Sequence, residues 1–158
     1  MTKNLSELLD KQAKKIPDKI FLSNLKDTYS FSEFNFLVNK CCNYFNQLGI
    51  NQKDIISICL SNKIEFLILY FATIRYGSTF FLLSINDTVN QIEDKLSFVK
   101  STVLFIDSGS KIEILNKELN TIYVENNFIN KLKVFNSYFS KSLLKENEIV
   151  GYYSSSGT

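Results

Sequence analysis

The residues best suited to chemistry in this 158-residue sequence are Ser154-Ser155-Ser156-Gly157-Thr158. Small residues let backbone N–H groups turn toward an anion, and hydroxyls add further donors, so the run has the makings of a phosphate site. It is not a Walker loop, because Gly151 and Gly157 stand six positions apart where that motif needs five, and no Lys follows Gly157. Read in isolation, a Ser/Gly run at a terminus is more often a flexible tail. No Gly-x-Gly-x-x-Gly occurs, which argues against a dinucleotide fingerprint. Asp107 closes a β-branched run, a place where open α/β sheets bind ligands, although acidic residues there are commonly turn formers. Cys41, Cys42 and Cys59 fall on apolar stripes and read as small core hydrophobes rather than nucleophiles. Glu65 and Arg75 bracket the most apolar segment and suit the two ends of a helix dipole.

Zero histidines removes more chemistry than any other count. A Ser-His-Asp triad, a Cys-His dyad and any His-containing zinc site are excluded within the chain. Three cysteines, two of them adjacent, fit neither a disulfide framework nor paired metal knuckles, so reduced thiols and a cytoplasmic location are expected. With 18 basic and 16 acidic residues the net charge is +2, too little for a nucleic-acid or anionic-membrane footprint. The longest apolar run, Phe66 to Ile74, is about half of the ~18–20 residues a membrane span requires, so no membrane span is expected.

Any such site must be positioned by an alternation of short strands and helices. Leu5, Leu8, Leu9 and Ala13 predict a helix over 5–15 that ends before Pro17. Ile20 to Leu25 and Thr28 to Phe31 form a hairpin candidate around Lys26-Asp27. Ser30-Phe31-Ser32-Glu33 has capping-box spacing and opens a helix running to Gly49. Asp54 to Leu60 is a strand, Asn62 to Tyr76 a helix apolar on nearly every side, and Ser78 to Ser84 a second strand. Thr88-Val89-Asn90-Gln91 is another capping box, opening a helix through Ile92, Leu96 and Val99. Thr102 to Ile106 is a third core strand. Lys111 to Leu119 is read as a helix and Thr121 to Val124 as a strand. Residues 126–147 receive no single structure, and Ile149 to Tyr153 is a last strand feeding the Ser/Gly run. The pattern predicts an α/β fold, a mostly parallel sheet flanked by helices in an αβα sandwich.

The order of these pieces resembles the opening of the AMP-forming adenylating enzymes: acyl-CoA synthetases, amino-acid adenylation domains and luciferases. Leu8-Leu9-Asp10-Lys11-Gln12-Ala13 with Ile16-Pro17-Asp18 is similar to the family's leading helix and its exit. Tyr29-Ser30-Phe31-Ser32-Glu33-Phe34 resembles the entry to the next helix, and Leu48-Gly49-Ile50 followed by Asp54 its exit. Ser61-Asn62-Lys63-Ile64-Glu65-Phe66 and Ile74-Arg75-Tyr76-Gly77 resemble the start and end of the third helix. Tyr153-Ser154-Ser155-Ser156-Gly157-Thr158 is similar to the first half of the family's phosphate loop. The sequence departs from the family after Gly77, where Phe81-Leu82-Leu83-Ser84-Ile85 lacks the usual prolines.

The resemblance implies that residues 1–158 are the N-terminal subdomain of an adenylation domain, truncated within the phosphate loop, and so the incomplete front part of a larger domain. The parent would activate a carboxylic or amino acid with ATP and Mg as an acyl-adenylate, then pass it to a thiol of CoA or of a carrier protein. Ser155, Ser156, Gly157 and Thr158 would cup the β- and γ-phosphates. The chain by itself is expected to be inactive, to bind nucleotide feebly and to self-associate through uncovered apolar surface. Two other readings compete: a stand-alone, non-catalytic α/β binding module, and a flavodoxin-like nucleotide binder, against which the missing Gly-rich motif counts.

Overall fold

The computed structural model describes residues 4–110, 112, 114–140 and 148–154. It opens on α1 (Leu5–Lys15), capped by Asn4, whose side-chain oxygen accepts the Glu7 N–H at 3.0 Å. The expected hairpin follows as β1 (Ile20–Ser23) and β2 (Thr28–Ser30), paired antiparallel. Its connection is Asn24–Asp27 rather than the Lys26-Asp27 pair alone. The reason is Asn24, whose Oδ1 accepts the Lys26 and Asp27 N–H groups at 2.8 and 2.7 Å and so builds the turn itself. Both halves of the first capping box form at the head of α2 (Phe31–Gln47): Glu33 N–H donates to Ser30 Oγ, and Ser30 N–H donates to the Glu33 carboxylate.

Next come β3 (Ile55–Cys59), α3 (Ile64–Tyr76) and β4 (Thr79–Leu82). α3 stops at Gly77, which takes a left-handed φ of 87° that a side chain would disfavour. α4 (Val89–Val99) starts on the second capping box, Thr88 with Gln91, and leads to β5 (Val103–Asp107). The chain then runs through β6 (Asn120–Val124), α5 (Phe128–Leu132) and β7 (Gly151–Tyr153). The helix expected over Lys111–Leu119 is absent from the described residues of that stretch. Ile112 and Ile114 lie two apart and both pack on the α4 side of the sheet, the spacing of extended chain, and Asn116 then turns the backbone by accepting the Glu118 N–H. Within residues 126–147, α5 gives the first part a structure, while 141–147 lie outside the described residues.

The five strands β3 to β7 form one sheet of order β6-β5-β3-β4-β7 in which every pairing is parallel. Side chains alternate between its faces. Ile56, Ile58, Val103 and Phe105 point to a core shared with α2, α3 and α5, whereas Phe81, Leu104 and Ile106 meet Ile92 and Leu96 of α4. Helices thus cover both faces, as the sandwich reading requires.

Every residue of α3 is at least partly buried, because the sheet lies on one side and α1 and α2 on the other. Arg75 lies in the last turn of α3, the end expected of a dipole partner, and it is also fully enclosed there. Its guanidinium donates to the Ser6 hydroxyl at 2.8 Å, to the side-chain oxygens of Asn39 and Asn35 at 2.7 and 2.9 Å, and pairs with Asp10 at 3.1 Å. One planar fork therefore ties α1 and α2 to α3.

Candidate functional site

In an open parallel sheet, ligands meet the carboxyl ends of the strands where the chain reverses its direction of winding. Here that point lies between β3 and β5: β3 leads outward to β4 on one side, and β5 leads to β6 on the other. Asp107, the last residue of β5, spans the crevice. Its carboxylate accepts the Ser61 N–H at 2.9 Å and the Ser61 hydroxyl at 3.1 Å, and it pairs with the Lys63 ammonium. Partial burial pushes the Asp107 carboxyl up, but the hydrogen bonds from Lys63 and Ser61 outweigh it and hold the group below its usual value. Asp107 is thus neither a simple turn former nor a free base. It is a clamp joining the end of β5 to the loop entering α3.

Beside the clamp lies an open cleft of about 520 Å³ that includes Cys59, Asp87, Asp107 and Asn126. Asp87 is paired with Lys95 at 2.7 Å, so both carboxylates are matched by an ammonium and the cleft is electrically balanced. Among the described residues, no three His, Cys, Asp or Glu side chains gather as a metal site. All three thiols are buried. Burial pushes Cys41 and Cys42 far above the thiol range and Cys59 to about 11, leaving no thiolate near neutral pH. Their reading as core residues holds.

The other end of interest is β7, which docks beside β4 at the sheet edge. Phe80 N–H donates to the Val150 carbonyl at 3.0 Å, and the Thr79 hydroxyl reaches the Ile149 carbonyl at 3.0 Å. Gly151 is required at this junction: a methyl group there would stand 2.1 Å from the Phe80 ring. Phe80 cannot easily give way, being 3% exposed and flanked by the rings of Tyr70 and Tyr153 at 4.6 and 5.4 Å.

β7 carries the chain to Ser154, which is exposed at the carboxyl edge. The residues named for phosphate binding, Ser155, Ser156, Gly157 and Thr158, lie outside the described residues. Sequence reasoning missed Lys63 and Ser61 as partners of Asp107. It also used Gly151 only to count a loop spacing, although a glycine inside an apolar strand was itself a signal of close approach.

The sequence pattern of the AMP-binding enzyme family matches residues 9–157. An oxalate–CoA ligase of Arabidopsis thaliana is 30% identical over 118 residues, covering 73% of this chain and 21% of the plant protein. The O-succinylbenzoate coenzyme A synthetase of Bacillus subtilis, solved in complex with AMP, superposes with a TM-score of 0.79 at 20% identity, over 95% of this chain and 39% of that one. A fatty acyl CoA synthetase of Mycobacterium tuberculosis superposes at 0.86 with 15% identity, over 98% and 33%. The chain spans 21% or less of the curated relatives it matches. With that pattern running from within α1 into the Ser/Gly run, the chain belongs to the AMP-binding enzyme family.

Proposed function

We propose that this chain is the N-terminal subdomain of an AMP-forming ligase that activates a carboxylic or amino acid and transfers it to the thiol of CoA or of a carrier protein. The observation that supports this most is the seat of β7. A three-residue strand is held against β4 through Gly151 and Phe80, and it delivers Ser154 to the carboxyl edge of a parallel sheet. The sequence directly after it has the composition of a phosphate loop. Ser155, Ser156 and Thr158 bring three hydroxyls, and with Gly157 they bring backbone N–H groups unobstructed by large side chains, a donor set that fits phosphate oxygens.

In the proposed reaction a carboxylate oxygen attacks the α-phosphorus of ATP, the bond to the bridging oxygen breaks, and pyrophosphate leaves with that electron pair. A thiol then attacks the acyl carbon, AMP departs, and the thiol proton goes to solvent. Ser155 to Thr158 act in the first step by donating to the β- and γ-phosphate oxygens, where charge accumulates as pyrophosphate forms. Asp107, Ser61 and Lys63 fix the neighbouring strand ends and take no part in bond making.

ATP supplies the activating phosphoryl chemistry, and magnesium accompanies its phosphates. No helix among the described residues is long and apolar enough to cross a membrane. A cytoplasmic site of action belongs to the same proposal, supported by the three unpaired thiols. So does self-association of the 158-residue chain, supported by Phe98 and Tyr153, 89% and 67% exposed, which line one groove beside β7.

The test is exchange of labelled pyrophosphate into ATP by the full-length protein across a panel of carboxylic and amino acids. Exchange dependent on one acid class is expected, with none from the 158-residue chain. Full-length protein that binds ATP but exchanges nothing with any acid would overturn the assignment.

A further inference from the structure

Residues 133–139, which follow α5, belong to no helix or strand, yet they are fastened along their length. The backbone carbonyls of Lys133, Phe135, Asn136, Ser137 and Tyr138 all accept hydrogen bonds from side chains of α2. Lys40 Nζ donates to Lys133 and Phe135, Asn43 Nδ2 to Asn136 and Tyr138 at 2.8 and 2.9 Å, and Asn39 Nδ2 to Ser137 at 2.8 Å. Two rings press the segment down: Phe135 meets Tyr44 edge-on at 5.5 Å, and Phe139 stacks on Tyr76 at 5.6 Å. Val134 and Tyr138 are exposed.

Fastening of this kind has its own energetics. A strand cannot leave a sheet without breaking its neighbour's bonds, whereas these side-chain bonds lie at or near the surface and break without disturbing any helix or the sheet. Asn39 differs from the other two donors, because its second polar atom is engaged in the interior: Oδ1 accepts from Arg75 Nη1 at 2.7 Å. A guanidinium has donors and no acceptor, so the amide oxygen must face Arg75, and only Nδ2 is left for Ser137. Asn35 is the natural comparison. Its Oδ1 also accepts from Arg75, at 2.9 Å, but no bond joins it to 133–139 among the described residues. We infer that residues 133–139 form a strap that opens as one unit while the sheet stays folded, and that Asn39 is the residue through which the enclosed Arg75 holds it shut.

The bonds from Asp10 to Arg75, Arg75 to Asn39 and Asn39 to Ser137 cross α1, α3, α2 and the strap in turn. A shift of α1 therefore reaches the strap, and by reciprocity closing the strap tightens the fork. Opening uncovers the rings of Tyr44 and Tyr76. None of these residues takes part in the proposed ligase chemistry, so the device stands apart from it.

The test is brief digestion of the full-length protein with chymotrypsin, which cuts after large apolar and aromatic residues and finds Phe135, Tyr138 and Phe139 in the strap. Mass spectrometry identifies the cuts, and cleavage after the enclosed Phe45 measures global unfolding. In wild type the strap should be cut at least about 10-fold faster than Phe45. Asn39→Asp keeps the acceptor for Arg75 and turns a carboxylate oxygen toward Ser137. Strap cleavage should then rise about 3- to 10-fold, the range one modest hydrogen bond spans, with the urea midpoint no lower. Asn35→Asp should leave strap cleavage unchanged. Lys40→Met, which strips the donor from two carbonyls, should raise it about 10-fold or more. Arg75→Lys should speed the strap more than Phe45. Strap and Phe45 cut at one rate in wild type, or a strap indifferent to Lys40→Met, would show that no separate opening exists. Equal responses to Asn39→Asp and Asn35→Asp, or an Arg75→Lys that speeds both sites by one factor, would break the link to Arg75. Each of these results would overturn the inference and leave the ligase assignment standing.

Discussion

Replacing Arg75 with Met tests the central packing of the fold. The arginine stem has about the length of Met, so the substitution removes a charge and a five-donor fork while leaving most of the volume. The acceptors it abandons are the Ser6 hydroxyl, the side-chain oxygens of Asn35 and Asn39, and the Asp10 carboxylate, in a region where the Arg75 side chain is fully enclosed and Asp10 is 13% exposed. Breaking a buried pair from one side costs about 3–5 kcal/mol, chiefly the penalty of a charge left without its counterpart. Against total stabilities of about 5–15 kcal/mol that is a large share. At roughly 2–4 °C per kcal/mol for a domain of this size, the thermal midpoint should fall by about 6–20 °C.

Arg75→Lys should recover little, since one ammonium cannot serve acceptors on two helices. Arg75→Met with Asp10→Leu should recover part of the loss, because the second change removes the carboxylate that the guanidinium no longer neutralises. Urea unfolding followed by far-UV circular dichroism measures all three. A midpoint for Arg75→Met equal to wild type, or a double variant worse than the single, would show that the fork does not hold the three helices together.

Gly151→Ala places a methyl group 2.1 Å from the Phe80 ring and should cost about 1–3 kcal/mol in urea unfolding, as overpacking does, with a change in the near-ultraviolet signal of the displaced aromatic cluster. Asp107→Asn tests the clamp through pH. The folded-state value of Asp107 is depressed, so its contribution is complete above the unfolded value, near 3.8, and is lost as pH falls through the lower folded value. Wild type and variant should therefore differ in stability at pH 6 and converge as the solution is taken below about pH 4, a window set by the carboxylate itself. Parallel stability curves across that range would mean that Asp107 gains nothing from Lys63 and Ser61.

Local signals in the sequence carried most of the fold. Ser30 with Glu33, and Thr88 with Gln91, announce helix starts within four residues, and each pair closes its box as the spacing predicts. The apolar runs of β3, β4 and β5 were legible because strands buried on both faces leave no polar alternation to confuse with a helix. Lys111 to Leu119 was misread because four apolar side chains at mixed spacing, Ile112, Ile114, Leu115 and Leu119, fit a helix face and an extended segment equally well.

Arg75 was read correctly as the basic residue ending its helix, but its partners were not legible. Its partners Ser6, Asn35 and Asn39 lie 69, 40 and 36 positions away, and no periodicity links a residue to contacts that only the tertiary fold creates. Likewise, nothing in the order of elements announced that β7 would lie beside β4 rather than beside β6. The Ser/Gly run was legible as composition, and its family context came from elements spread along the whole chain.

The place of β7 also matters while the protein is being made. Thr79 and Ile149, whose hydrogen bond helps seat it, are 70 positions apart. At synthesis rates of about 5–20 residues per second, β4 emerges roughly 4–14 s before the strand that closes its outer edge. During that interval Thr79-Phe80-Phe81-Leu82 lines an unpaired edge, a short apolar run of the kind that seeds intermolecular pairing. The newborn chain is thus most vulnerable at the edge where β7 will later be seated, and slow translation or a stall between these strands should favour aggregation over folding.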